Sequence, residues 1–279
     1  MRTVETIAEM RQARHQLVDP VGLVPTMGFL HEGHLSLVRQ ARSDTRSVVA
    51  SIFVNPTQFA PNEDLASYPR DLPRDLAMLE EEGVDLVFLP TAKEMYPLEF
   101  DSWVEVGKIS RRLEGASRPD HFRGVTTVVA KLFNIVWPTR AYFGQKDAQQ
   151  AVVIKQMAID LDIDLEIVVC PIVREADGLA MSSRNSYLTS EERTAAVALH
   201  QALELARHLW TAGERDAFRL RQETASVIRH QPLAEIDYIS VADPETLQEL
   251  DAIVDSALVS MAVRLGKTRL IDNVVLGGR

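Results

Sequence analysis

Three features of the sequence predict an α/β protein whose mostly parallel sheet is followed by a smaller α+β unit. First, short runs rich in Val, Ile and Leu, at residues 21–25, 47–54, 84–89, 141–143 and 165–169, alternate with stretches of helical periodicity at 33–44, 71–82, 124–135 and 148–161. Strands that read as continuous apolar runs between helices belong to parallel sheets covered on both faces. Second, the texture changes near Gly178, after which come two long helical patterns and then, past Pro232, three alternating segments at 236–241, 257–263 and 268–275. Third, 46% apolar and 25% charged residues over 279 positions can build an ordinary core. The boundary is expected near residue 176, dividing the chain into 1–176 and 177–279.

Each element has a local reason. The strand at 21–25 is followed by a Gly-containing loop, then by the helix at 33–44. Val and Ile dominate 47–54, and β-branched residues favour strands. The helix at 71–82 stops at Gly83 and the next strand at Pro90; the buried helix at 124–135 leads through Pro138 to the strand at 141–143. Thr189-Ser190-Glu191-Glu192 is a helix start, with a hydroxyl cap and an acidic first turn, for a helix reaching about 212 and stopped by Gly213. A second helix covers about 216–230, and turns at Asp243-Pro244 and Leu265-Gly266 separate the last strands. No internal repeat or low-complexity tract is present.

Charge and cysteine content exclude several functions. The formal charge is -10, from 30 basic and 40 acidic residues. A field of that sign repels phosphodiester backbones, so no nucleic-acid partner is expected. The single cysteine, Cys170, can form neither an internal disulfide nor a thiolate metal cluster, which favours a reducing compartment. Residues 1–10 mix Arg2, Glu5 and Glu9 into their apolar positions, unlike a secretory signal, and the densest apolar stretch, 48–54, is strand-sized. A cytoplasmic protein without a membrane partner is the expectation.

Chemistry-bearing residues fall where predicted strands end. Pro25-Thr-Met-Gly-Phe-Leu-His-Glu-Gly-His34 follows the first strand and sets His31 and His34 on one side of a helix's first turn. Backbone N–H groups and the helix dipole already attract anions there, and Gly28 and Gly33 let backbone approach a phosphate. Two surface histidines, or a zinc site, are the alternatives, although His-x-x-His is not zincin spacing. Phe143-Gly-Gln-Lys-Asp147 offers a turn at Gly144, a cation at Lys146 and a helix cap at Asp147, and i to i+4 spacing turns Gln150 rather than Gln149 toward Lys146. Met181-Ser-Ser-Arg-Asn185 joins two hydroxyls to Arg184 in a loop between the units, fit to close over a triphosphate. Asn55 and Gln58 in the loop after the second strand can fix hydroxyl or carboxylate groups of a small polar substrate. Arg118, His121 and Arg123 precede the buried helix. Taken singly, each cluster also reads as ordinary turn or linker chemistry. Together, Lys146, Arg184, Arg118 and Arg123 would make a local basic pocket in an acidic protein, the signature of a nucleoside triphosphate site.

These stretches, together with Tyr68-Pro-Arg-Asp71, His121-Phe-Arg-Gly-Val125 and Asp177-Gly-Leu-Ala-Met181, resemble the pantothenate synthetase (pantoate–β-alanine ligase) family along essentially the whole chain. Its His-x-Gly-His type motif is shared by a wide superfamily of nucleotidyl transferases; the ordered set of motifs is specific. The resemblance implies a Rossmann-like N-terminal domain binding ATP and pantoate, a C-terminal lid, and condensation of pantoate with β-alanine through a pantoyl adenylate, releasing AMP and pyrophosphate. It places ATP against Met27, Gly28, Phe29, Leu30, His31, Glu32, Gly33 and His34, with both imidazoles at the phosphates and His34 as proton donor. Gly144, Gln145, Lys146 and Asp147 would line the nucleotide site, Lys146 bridging phosphates as pyrophosphate departs. Val173, Met181, Ser182, Ser183 and Arg184 would close over adenine and triphosphate. Gln58 and Gln150 would hold pantoate, Gln58 also lying near β-alanine, with Met27, Asn55, Arg118 and His121 as further substrate contacts. Mg²⁺ would neutralise the triphosphate, with Asp75 as an outer-sphere partner, and the protein would be a homodimer. Competing readings are another nucleotidyl transferase, a metal-dependent hydrolase using His31, His34 and His121, and a silent nucleotide sensor.

Overall fold

The computed structural model describes residues 1–61 and 63–278. Six parallel strands, β1 (Arg2–Val4), β2 (Val21–Thr26), β3 (Ser47–Ile52), β4 (Leu86–Phe88), β5 (Arg140–Gly144) and β6 (Glu166–Cys170), form one sheet in the order β1-β4-β3-β2-β5-β6. The helices between them are α1 (Ile7–Arg14), α2 (Glu32–Asp44), α3 (Leu72–Glu81), the short α4 (Ala92–Met95) and α5 (Glu114–Ser117), α6 (His121–Val136) and α7 (Ala148–Asp160). α8 (Ser190–Thr211) and α9 (Ala217–Arg229) then pack on an antiparallel sheet of β7 (Ala234–Ala242), β8 (Ser256–Leu265) and β9 (Thr268–Gly277). The α/β architecture expected from the alternating pattern is present. β1 and α1 lie in a stretch the periodicity leaves unassigned. α6 begins at His121, three residues before the apolar run, so that histidine sits in a helical first turn.

The core explains the unbroken apolar strands. Val21, Leu23, Val49, Ala141 and Phe143 face α1, α6 and α7, while Val24, Val48, Ala50 and Tyr142 face α2 and α3. A strand buried on both faces needs apolar residues at every position. A separate core joins α8 and α9 to the three antiparallel strands. α8 starts as its capping box requires: Thr189 Oγ1 accepts from the Glu192 N–H, and Glu192 Oε2 accepts from the Thr189 N–H.

The strand order places a reversal beside β2: β3, β4 and β1 lie on one side of it, β5 and β6 on the other. β2 pairs with β3 over six residues but with β5 only at Gly22 and Leu23. Beyond that point β2 and β5 part. Val21 O accepts from Thr139 N–H on the β5 side, and Thr26 O from Phe53 N–H on the β3 side. By alternation Pro25 turns its nitrogen toward β5, where no strand runs close enough to miss a donor.

One close approach shapes the cleft wall. A Cβ at Gly124 in α6 would lie 2.4 Å from Thr57 O, and Gly124 O accepts from Asn55 Nδ2 at 3.1 Å. Glycine therefore lets α6 press against the 3-10 turn Pro56–Gln58. An alanine inside a helix ordinarily stabilises by about 0.5–1 kcal/mol over glycine. Here overpacking against backbone inverts the sign: Gly124→Ala should cost about 1–3 kcal/mol in urea unfolding. A variant at least as stable as the parent would show that the turn moves aside freely.

Candidate active site

Ligands in open parallel sheets bind outside the carboxyl ends of strands, where strand order reverses. The gap between β2 and β5 is such a place. It holds a cavity of about 210 Å³ lined by Pro25 and Thr26 from β2 and by Tyr142, Phe143 and Gly144 from β5. A second cavity of about 700 Å³ lies between the parallel sheet and β8–β9. Met27, Gln58, Lys146, Asp147, Gln150, Ser182 and Arg184 border both, making one continuous cleft.

The loop after β2 is locked before α2 begins. Gly28 has φ +80°, and a Cβ there would meet Asp75 Oδ2 and Ile52 Cγ2 at 3.0 Å. Asp75, at the start of α3, accepts from the Phe29 and Leu30 N–H groups, each at 2.7 Å. Asp75 is buried and borders neither cavity, so its carboxylate braces the loop rather than reaching toward a Mg²⁺. Burial is the largest influence on this carboxyl and raises its pKa, against the lowering effect of the two N–H donors.

His31 and His34 form a reciprocal cap at the α2 N-terminus. The Gly33 N–H donates to His31 Nδ1 at 3.1 Å, and the His31 N–H to His34 Nδ1 at 3.3 Å. The rings stand 4.1 Å apart. A nitrogen that accepts from an amide carries no proton, so each neutral ring bears its hydrogen on Nε2. Enclosure by the cleft, then the Lys146 charge, pushes His31 down to about 4. Enclosure likewise holds His34 well below the ordinary imidazole value, with His31 and Lys146 adding to it. Both are thus uncharged N–H donors at neutral pH, beside a helix N-terminus that favours anions.

Lys146 sits in the turn after β5, its Nζ 3.5 Å from Asp147 Oδ1. Asp147 occupies the N-cap position of α7 but makes no capping hydrogen bond, a correction to the expected cap. Gln150 borders both cavities, as its spacing from Lys146 predicts. Gln149 instead accepts from the Glu114 N–H and donates to Ile109 O and Arg112 O. Across the cleft, Met181 N–H donates to Val173 O, closing an arm that presents Ser182, Ser183 and Arg184. Ser183 Oγ donates to Phe29 O at 3.4 Å, which ties this arm to the histidine loop.

The basic pocket is already balanced by acids. Arg184 is bidentate to Asp64 at 3.0 and 2.9 Å, and Arg118 to Glu63 at 2.5 and 2.6 Å. Despite their burial, the facing arginines hold both carboxyls below their usual range. Arg118 and His121 border only the larger cavity, where His121 Nδ1 lies 2.9 Å from Gln58 O and burial lowers that imidazole to about 4. Arg123 joins neither cavity; it pairs with Asp120 at 3.2 Å and lies over the Trp103 ring, so the expected fourth cation of the pocket is absent.

Beneath the nucleotide-sized opening lies an apolar chamber. Val125, Val128 and Val129 of α6 line it with Phe53, and Gln58 Nε2 at its edge donates to the Met27 sulfur at 3.2 Å. Asn55 is largely spent on structure, accepting from Thr57 and Tyr96 and donating to Gln58 Oε1 and Gly124 O. Ser51 adds, at the cavity's edge, a fully buried hydroxyl that finds no hydrogen-bond partner among the described residues. Of the loop residues, Met27, His31, Gly33 and His34 border the cleft, whereas Leu30 is core and Glu32 pairs outward with Arg39. Gln145 also turns away, toward Asn273. His121 stands apart from His31 and His34, and among the described residues no group of three or more His, Cys, Asp or Glu side chains is arranged to hold a metal ion. The hydrolase reading has no such centre to rest on. Glu63, Asp64, Ser51 and Asn273 escaped the sequence reading. Two adjacent acids just after Gln58 were the available sign for the first pair, and nothing local marks the other two.

Comparison with known proteins agrees with this geometry. Residues 2–275 match the Pantoate-beta-alanine ligase family. A pantothenate synthetase of Roseiflexus sp. (strain RS-1) is 61% identical over 276 residues, covering 99% of each chain. The pantothenate synthetase of Thermotoga neapolitana is 54% identical over 280 residues, covering 99% of this chain and 100% of the relative. A crystal structure of pantothenate synthetase from Thermus thermophilus superposes with a TM-score of 0.95 at 48% identity, covering 98% of this chain and 99% of that one. A pantoate-beta-alanine ligase from Francisella tularensis, complexed with beta-gamma ATP and beta-alanine, superposes at 0.81 with 37% identity over 99% and 97% of the two chains. The chain belongs to the pantoate–β-alanine ligase family.

Proposed function

We propose that this chain condenses pantoate with β-alanine, cleaving ATP to AMP and pyrophosphate through a bound pantoyl adenylate. The observation that carries the reading is the single cleft that gathers two neutral imidazoles, Lys146, the Ser182–Arg184 arm and the amides of Gln58 and Gln150 over an apolar chamber. The branched body of pantoate fills the valine and phenylalanine chamber, and Gln58 and Gln150 bind its polar groups. Its carboxylate oxygen attacks the α-phosphate, the bond from that phosphorus to the bridging oxygen breaks, and pyrophosphate leaves. The amine of β-alanine then attacks the acyl carbon, AMP departs, and the nitrogen sheds its protons. No protein nucleophile is required, since the substrate carboxylate serves.

The protein's part is position and charge. His31 and His34 donate from Nε2 to phosphate oxygens, and approaching anions raise their affinity for a proton, which suits His34 to proton donation. Lys146 follows the charge that develops on the departing pyrophosphate. Arg184 exchanges Asp64 for phosphate, and Ser182 and Ser183 close the cleft against water that would hydrolyse the mixed anhydride. Mg²⁺, homodimerisation and a cytoplasmic location complete the reading, supported by the family resemblance; no helix among the described residues is long and apolar enough to cross a membrane. The residues present suit a Mg²⁺ carried on the triphosphate rather than held in a protein cage. When bound, it neutralises part of the polyphosphate charge.

The direct test is pyrophosphate release from ATP and Mg²⁺ with each co-substrate omitted in turn. Release should need pantoate and turn over freely only with β-alanine; release that ignores pantoate sinks the reading. Lys146→Ala should slow it about 100-fold or more, the scale of one lost transition-state contact, and an undiminished rate removes Lys146 from the mechanism. Gln58→Ala should raise the KM for pantoate while ATP binding by calorimetry persists; equal loss of both indicates misfolding. For pH, an unfolded histidine titrates near 6.5 (a general value) and folded His31 at about 4. Between these values the unfolded chain binds more protons, so stability falls as pH drops through the window. His31→Asn keeps an acceptor for the Gly33 N–H and should flatten part of that slope in urea titrations, with His34 and His121, both also lowered by burial, supplying the rest. An unchanged slope contradicts the assignment.

A further inference from the structure

The turn that carries Lys146 is a short 3-10 element, residues Gln145–Asp147, and neither Gly144 before it nor Asp147 within it provides a side-chain cap. Its support comes from the other unit. Asn273 on β9 is buried, and its Nδ2 donates to Gln145 O at 2.9 Å and to Lys146 O at 3.0 Å. Its Oδ1 accepts from Gln145 Nε2 at 3.0 Å. All three side-chain bonds of this carboxamide go to one turn, which only Asn or Gln chemistry can arrange, because a carboxylate has no donor to give.

The neighbouring residue performs the matching task on the opposite wall. Successive side chains on a strand point to opposite faces. Asp272, also buried, takes both Nη atoms of Arg174 at 2.6 and 3.0 Å, and Arg174 Nη1 donates to Gly178 O at 3.0 Å. Arg174 lies in the arm that presents Ser182, Ser183 and Arg184. Asp272 Oδ1 further accepts the Asn273 N–H at 2.8 Å, so the two side chains are set in register. One dipeptide of β9 therefore spans both walls of the cleft.

We propose that Asn273 is a positioning residue for catalysis: from the antiparallel sheet it fixes the backbone of the Lys146 turn, and with Asp272 it makes the spacing between Lys146 and the Ser182–Arg184 arm a property of β9. The inference rests on the reading of Lys146 given above. In chemistry dominated by placement, a displacement of about 1 Å can cost on the order of 100-fold.

The test is a double-mutant cycle in the full chain, scored by steady-state pyrophosphate release with ATP, Mg²⁺, pantoate and β-alanine. Asn273→Ala should lower kcat about tenfold or more while the KM for pantoate stays within about twofold, because the lost contact acts on Lys146 and not on the apolar chamber. In a Lys146→Ala background the same change should produce almost no further loss. Should Asn273→Ala fail to fold, Asn273→Ser keeps one donor and should give an intermediate rate. A folded variant with full kcat, while Lys146→Ala is impaired, overturns the positioning role. So does an equal fold-loss in both backgrounds, which is what a merely structural effect gives. A Lys146→Ala protein as fast as the parent instead overturns the underlying reading of Lys146.

Discussion

The active cleft depends on one constraint: β2 and β5 lie side by side but pair over only two residues. Where they pair, the sheet is closed and dry. Where they part, backbone groups, helix N-termini and the turns that carry His31, His34 and Lys146 meet around a cavity. Pro25 belongs to this arrangement, since a residue without an N–H suits the side of β2 from which β5 has withdrawn. The opening is thus built into the topology, and the loops after β2 and β5 need only be held at its rim.

Holding them requires charge balance as well as hydrogen bonds. A protein of net charge -10 must accept a polyanion. It does so with few permanent local cations: Lys146 has Asp147 at 3.5 Å, while Arg184 and Arg118 lie against Asp64 and Glu63. Arginine–carboxylate pairs at partly buried sites avoid leaving a lone charge away from water. An arriving polyphosphate offers Arg184 a partner of the same bidentate geometry, so the ion pair can be exchanged rather than simply broken. The imidazoles contribute differently. Kept neutral by enclosure, they add donors without adding repulsion to Lys146.

Much of this was legible in the sequence, for physical reasons. Strands buried on both faces advertise themselves as unbroken apolar runs, and caps such as Thr189 with Glu192 mark helix starts, so the α/β order and the α+β tail could be read directly. The histidine loop and the Lys146 turn were legible because both follow strands immediately. What escaped depended on distance along the chain. Asp75 reads as a metal partner until its two N–H donors, 46 and 45 residues away, are seen to occupy it. Arg123 reads as a pocket cation until α6 is found to begin at His121, which turns its side chain toward Trp103. Asn273 gives no local signal, because its partners are 128 and 127 residues earlier.

These long-range contacts bear on why the second unit is present. Attack on an α-phosphate asks little covalent help of a protein; it asks that donors, cation and nucleophile stay aligned while water is excluded. The parallel sheet alone provides the histidines and the chamber. Lys146 and the serine–arginine arm leave that sheet on separate segments, beyond the last β5–β6 pair, Gly144 with Cys170. Past that point β9 links them, through adjacent side chains that face opposite ways. A strand is a rigid spacer in a way that a loop is not, so placing the link on β9 converts two independent turns into one surface of fixed width.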